Sequence, residues 1–250
     1  VNEDLEGSFS GIGVSFNLQT DTILVISVIP GGPSEKAGLL AGDRIITIND
    51  SLFAGNNSSQ GKIMKTLRGA KNSVVKLGIK RSTSQDLLYF NVTRGDVPVN
   101  SVDVAYVVRE GVGYIKVNKF ARTTYNEFIT AIAKLKQQNC KSFIIDLRGN
   151  TGGYMDAAIN MINEFMANGR LIVYTEGKAF PRNDVYANGT GTCQDAPIVV
   201  LTDEFSGSAS EIFAGAIQDN DRGLIIGRRT YGKGLVQSQI PLSDGSALRL

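Results

Sequence analysis

Short alternations of apolar and polar residues fill the first part of the chain, at 13–18, 22–28, 44–49, 74–80 and 87–94. A two-residue period puts one set of side chains on one face, so these segments predict β-strands. Pro30-Gly31-Gly32-Pro33 and Ala41-Gly42-Asp43 punctuate them as turns. Helical spacing appears at 34–39 and again at 59–68, where Ile63, Met64 and Leu67 share a stripe. The pattern breaks near Gly95-Asp96-Val97-Pro98-Val99-Asn100, and strand-like and helix-like segments alternate after it. Strands are expected at 113–117, 142–147, 171–174, 197–201 and 224–227. Helices are expected around Tyr125–Leu135, Met155–Phe165 and Ser208–Gln218. This order predicts a mainly parallel sheet covered on both faces, with chemistry beyond the carboxyl ends of its strands.

Composition narrows that chemistry. The 250 residues contain no histidine, which removes any Ser-His-Asp triad, Cys-His dyad, His-ligated zinc or imidazole acid–base step. Proton transfer then falls to Lys, Asp, Glu or Tyr. The net charge is +2 with no basic or acidic block, so no nucleic-acid partner is expected. Two cysteines are too few for a four-cysteine metal site, and no metal or other cofactor is expected. No apolar run is long enough to span a membrane. The chain starts at Val1 and stops at Leu250 inside an apolar alternation, which reads as a piece of a longer protein.

Four features of the first part occur in a fixed order: Gly11-Ile12-Gly13-Val14, the run Pro33 to Leu39, the run Ala41 to Ile46, and Ile48-Asn49. Together they resemble a PDZ domain, here assigned to 8–95. The resemblance implies that Gly11, Ile12, Gly13 and Val14 form a carboxylate-binding loop, whose glycines let backbone N–H groups approach an anion. A peptide would add as a strand along Val14-Ser15-Phe16, its last side chain in an apolar pocket closed by Ile63 and Leu67. Ordinary core packing is the competing reading for Ile63 and Leu67.

Three segments of the second part, assigned to 96–250, carry candidate chemistry. They are DLRGNTGG at 146–153, FSGSASE at 205–211 and TYGKGLVQ at 230–237. A serine at a strand-to-helix turn exposes its hydroxyl beside helix N-terminal N–H groups, of which Ala209 supplies one. A second oxyanion donor must come from another loop, and Gly152-Gly153 allows the close approach. A lysine that accepts the serine proton must be neutral, which burial favours. If Lys233 enters a strand, Gln237 lies on the same face and can orient its amine without adding charge. Ser208 also begins a Ser-x-x-Glu capping box with Glu211, so a plain helix cap competes, and Ser206 and Ser210 are rival nucleophiles. Asp146 and Arg148 are read as structural.

With the PDZ segment, these motifs resemble the carboxyl-terminal processing, or tail-specific, proteases. The resemblance implies Ser208 as nucleophile, Lys233 as general base, Gln237 as its orienting partner, and Gly153 and Ala209 as oxyanion donors. It implies an α/β protease core of crotonase- or ClpP-like character after the PDZ domain. It also implies cleavage near apolar carboxyl termini of protein substrates and a location outside the cytoplasm. A non-catalytic tail-binding module on the same fold is the alternative, because folds do not dictate activity. An acyl-CoA hydratase fits the core but neither the PDZ segment nor the Ser-Lys pair. Cys140 and Cys193 each precede a buried strand, and both a disulfide and two buried thiols stay open.

Overall fold

The alternations of the first part become antiparallel strands in the computed structural model, which describes residues 3–19, 22–55, 58–237, 239–244 and 246–249. One turn of helix, α1 (Glu3–Glu6), comes first. The chain then forms two units, one over 8–99 and the other over 4–7 with 100–250.

The first unit contains β1 (Ser8–Gly11), β2 (Val14–Gln19), β3 (Thr22–Val28), α2 (Pro33–Ala37), β4 (Arg44–Ile48), β5 (Ser51–Leu52), α3 (Gln60–Leu67), β6 (Val74–Lys80), β7 (Leu88–Thr93) and β8 (Gly95–Pro98). The main sheet runs β2-β3-β4-β6-β7, with β5 attached to β4. Its core holds Ile23, Ile45, Ile48, Leu77 and Ile79, all fully buried. Each such side chain contributes about 1.5–3 kcal/mol of transfer free energy. β8 pairs antiparallel with β1, so the unit extends to Val99, within the composition break and four residues beyond the assigned 8–95. Buried Arg94 locks the end of α3, donating to the carbonyls of Thr66 and Leu67 at 2.9 Å each.

The second unit contains β9 (Val104–Arg109), β10 (Val112–Lys116), α4 (Thr124–Gln137), β11 (Ser142–Asp146), α5 (Met155–Asn163), β12 (Leu171–Gly177), β13 (Phe180–Tyr186), β14 (Ile198–Thr202), α6 (Ala209–Asp219), β15 (Leu224–Gly227), β16 (Gln239–Pro241) and β17 (Ala247–Arg249). Its sheet runs β15-β14-β11-β10-β9. The first four strands are parallel and β9 is antiparallel, which matches the mainly parallel expectation. The apolar stripes of α4, α5 and α6 meet Ile115, Phe143, Ile145, Ile198 and Val200 in one core. Phe165 anchors that core, with Phe128, Phe143 and Phe213 edge-on around it at 6.1–6.3 Å. Such pairs add about 0.5–1.5 kcal/mol each beyond their burial.

Two expectations need correction. Among the described residues the helices cover only one face of this sheet; on the other, Tyr106 is 47 % and Leu224 64 % exposed. The strand expected at 171–174 does not join the parallel sheet. It is β12, which turns back through Lys178 and Ala179 to pair with β13 as a hairpin. β13 is mostly exposed and carries Arg182, Asn183 and Asp184 in succession, so it offers no apolar alternation to read.

Candidate active site

β14 carries the chain to the carboxyl end of the parallel sheet, a tight turn follows, and α6 starts at Ala209. Between them Ser208 sits at φ 56°, ψ −113°. A serine in this region costs about 1–3 kcal/mol, so its neighbours must impose it. They do so through hydrogen bonds. The Ser208 N–H donates to Glu211 Oε2 at 2.8 Å, and its carbonyl accepts from the N–H of Glu211 at 2.9 Å. The Gly207 N–H donates to the carbonyl of Asn150 at 3.1 Å.

This turn separates the three serines. Ser206 is fully buried and donates to the carbonyl of Leu147 at 2.9 Å. Ser210 is fully buried and donates to the carbonyl of Asn150 at 2.8 Å. Ser208 is half-buried and lines a cleft of about 740 Å³. Gly153, Ala209, Lys233 and Gln237 line the same cleft, with Val173 and Tyr174 of β12 along one wall.

The glycine loop after β11 supplies the facing backbone. Gly152 and Gly153 sit at φ 105° and φ 147°. A Cβ on Gly152 would come within 2.8 Å of the Ser208 Cβ, and one on Gly153 would overlap the carbonyl of Phe120. The Gly152 N–H is occupied by Asn150 Oδ1 at 2.9 Å. The N–H groups of Gly153 and Ala209 donate to no group among the described residues. Two unengaged N–H groups lining the same cleft as a half-buried serine suit a developing oxyanion.

Lys233 does not enter a strand. Residues 231–237 are irregular, yet Lys233 Nζ still donates to Gln237 Oε1 at 3.3 Å. No hydrogen bond joins Lys233 Nζ to Ser208 Oγ among the described residues. The link between the two segments runs instead through Glu211, which the sequence shows only as a capping residue. Its carboxylate accepts from the N–H of Ser208, the hydroxyl of Thr230 at 2.8 Å, and the N–H groups of Gly232 at 2.6 Å and Lys233 at 2.9 Å. Burial works to raise its pKa, but these donors outweigh burial and hold the carboxyl below its ordinary value.

Two more carboxylates brace the loop, and no sequence pattern points to the first of them. Asp203 accepts from the N–H of Gly149 at 2.9 and 3.0 Å and from the N–H of Phe205 and Ser206. Asp146 is 2 % exposed at the end of β11. It takes Arg148 Nη2 at 2.7 Å, Tyr114 Oη at 2.6 Å and Lys116 Nζ at 3.4 Å. Burial would raise its pKa, yet Arg148 and Tyr114 bring it down to about 2. The phenol of Tyr114, half-buried and beside that carboxylate, is pushed up to about 12.

In the first unit a smaller cleft of about 210 Å³ is lined by Gly11, Ile12, Gly13, Val14, Phe16 and Leu67. Ile63 is not among its walls. It is fully buried in the core, and Met64, one position along α3, lines the cleft instead. Gly13 turns at φ 75°. The carbonyls of Ile12 and Gly13 accept from Ser34 and Ile29, while their own N–H groups donate to nothing among the described residues. Outside both clefts, Cys140 and Cys193 are buried, unbridged thiols that line one surface cavity at the same end of β11 and β14.

A cleft beside the glycine turn of an antiparallel-sheet unit, and a strained serine sharing a cleft with unengaged backbone N–H groups in the α/β unit, fit a PDZ domain joined to a serine-peptidase core. Residues 10–104 match the PDZ domain and residues 111–250 match peptidase family S41, and the chain belongs to that peptidase family. It is 34 % identical to a probable CtpA-like serine protease of Staphylococcus aureus, over 99 % of this chain and 49 % of the relative. It is 31 % identical to the carboxy-terminal processing protease CtpB of Bacillus subtilis, over 100 % of this chain and 52 % of that one. The chain thus spans about half the length of these curated relatives. Among solved structures, the photosystem II D1 C-terminal processing protease is similar with a TM-score of 0.54. That match has 30 % identity and covers 96 % of this chain and 66 % of the other.

Proposed function

We propose that this chain is the tail-recognising and catalytic part of a serine endopeptidase that cleaves proteins near their carboxyl termini. One observation carries the reading: Ser208 stands at a positive-φ elbow in one cleft with two residues whose N–H groups are unengaged, Gly153 and Ala209, and with Lys233 and Gln237. In this mechanism Ser208 Oγ attacks the substrate carbonyl and Lys233 Nζ takes the hydroxyl proton. Gly153 and Ala209 donate to the oxyanion. As the tetrahedral intermediate collapses, the C–N bond breaks and Lys233 returns the proton to the leaving amine. Water then attacks the serine ester, with Lys233 again as base, and releases the acid and the free hydroxyl. Lys233 Nζ must turn toward Ser208 Oγ for the first step, with Gln237 Oε1 as its resting partner at 3.3 Å. The first unit selects substrates by an apolar residue and free carboxylate at their end. Action outside the cytoplasm follows from the resemblance alone; no helix among the described residues is long and apolar enough to cross a membrane.

The missing contact between Ser208 Oγ and Lys233 Nζ favours a second reading, capture of tails without cleavage. The two separate cleanly. Ser208→Ala in the intact protein is expected to cut hydrolysis of an unfolded protein with an apolar terminus by about 10⁴–10⁶-fold at unchanged Tm. Turnover that survives in the variant removes Ser208 as the nucleophile. Tail binding by a wild-type protein that cuts nothing establishes capture.

A further inference from the structure

We propose that Asn150 is the positioning residue of the oxyanion site, fixing both of its backbone donors at once. The inference rests on the peptidase reading above. Asn150 is fully buried inside a glycine-rich loop, where an asparagine ordinarily serves an exposed turn. Its side chain is engaged at both ends. Nδ2 donates to the carbonyl of Val117 at 2.9 Å, at the end of the neighbouring strand β10, and Oδ1 accepts the Gly152 N–H at 2.9 Å. By engaging Gly152, the amide sets which glycine of the pair keeps an open N–H, and that is Gly153. Its main chain reaches the other donor. The Asn150 carbonyl accepts from the Gly207 N–H at 3.1 Å and from Ser210 Oγ at 2.8 Å, one residue on either side of the Ser208-Ala209 step.

The two donors come from segments far apart in sequence, and each has an anchor on this one residue. An oxyanion donor works only if it is already aimed when charge develops, because reorganising it during the reaction costs the stabilisation it would give. A buried amide with both ends satisfied by backbone suits that role. It carries no charge that would perturb the oxyanion, and it is fully buried. Position 152 has no room for a side chain either, since a Cβ there would lie 2.7 Å from the carbonyl oxygen of Gly207.

The test uses the intact protein and a peptide aldehyde, which forms a hemiacetal with the nucleophile and so needs the oxyanion site. Asn150→Ala is expected to lower kcat by about 10²-fold with KM within about twofold, and to weaken aldehyde binding in parallel. Asn150→Asp keeps the acceptor for Gly152 but loses the donor to Val117 and adds a buried negative charge near the oxyanion, so it should lower kcat at least as far as the Ala variant. Ser210→Ala removes one anchor of the Asn150 carbonyl with little volume change. It is expected to lower kcat about five- to tenfold at constant KM, and it decides the matter should both Asn150 variants unfold. A folded variant set with wild-type kcat and wild-type aldehyde affinity overturns the assignment. So does a loss expressed only as lower Tm and higher KM. A wild-type protein that neither cleaves peptide nor binds the aldehyde overturns the peptidase reading instead, and this inference with it.

Discussion

The loop at Gly11–Val14 and the loop at Gly149–Gly153 both leave backbone N–H groups unengaged, and they reach that state by different means. In the first unit the surroundings are mostly apolar: Val14, Phe16, Met64 and Leu67 line the cleft beside Ser15 and Arg68, and no carboxylate among the described residues braces the loop. In the second, Asp146, Asn150, Asp203 and Glu211 tie the loop and the serine turn to three strand ends and to the lysine segment. What each loop must hold explains the difference. A groove that receives many different tails gains from soft walls that repack at small cost. A site that must stabilise charge at one point needs its donors fixed in advance, and buried polar networks rigidify where every member is satisfied. Perturbations should therefore act sharply in the second unit and gradually in the first.

The sharpest expected effect in this contrast is at Glu211. Glu211→Gln keeps the size but places an NH2 where two donors now meet a carboxylate oxygen. Because that carboxylate spans the serine and lysine segments, kcat should fall by about 10²-fold while tail binding to the first unit stays constant. The sign with pH follows from its lowered pKa: the native state retains this contribution above the ordinary glutamate value and loses it only as pH falls below. A Gln variant with wild-type kcat would show that the lysine segment holds its place without the bridge.

Asp146 tests the bracing without touching the cleft. Its folded pKa of about 2 lies below the ordinary 3.8, so its contribution is complete above the ordinary value and disappears as pH falls from about 4 to about 2. For a group 2 % exposed this amounts to about 2 kcal/mol. Asp146→Asn should lose that much at neutral pH in denaturant titrations of the second unit, and should show a shallower stability loss through the acid window. A variant with the parent's acid profile would mean that another carboxylate governs it.

The periodic elements are legible in the sequence and the bracing is not, for a physical reason. Apolar spacing reports which face of a local element is buried, so α4, β11 and β14 are readable. It does not distinguish neighbouring apolar positions on a helix, and for that reason the stripe points to Ile63 at the groove where Met64 stands. The motif at 205–211 offers three serines, and only the turn separates them, by burying and engaging Ser206 and Ser210. Asn150 and Asp203 look like ordinary turn formers, because their partners lie 33 and 54 positions away. Glu211 satisfies the local capping pattern so well that its longer reach to Gly232 and Lys233 leaves no trace. Lys233 and Gln237 meet although the strand invoked to align them is absent.

The smallest effect should appear where the scaffold is softest. Peptides ending in an apolar residue, with a free carboxylate or with an amide, would be titrated into the Ser208→Ala protein so that binding is read without cleavage. The N–H groups of Ile12 and Gly13 stay open while their carbonyls are held by Ser34 and Ile29. An amidated end still offers an oxygen to them but no charge, and charge-assisted hydrogen bonds are roughly twice as strong as neutral ones. Amidation should weaken binding about tenfold, which corresponds to about 1.4 kcal/mol. Met64→Ala and Leu67→Ala should each weaken it by a similar amount through lost apolar contact, with no single residue dominating. Equal titration curves for the free and amidated peptides would remove the carboxylate from the recognition and leave the groove as an apolar strand site. A collapse of binding on one conservative side-chain change would break the contrast from the other side, since the first unit would then be as finely fixed as the second.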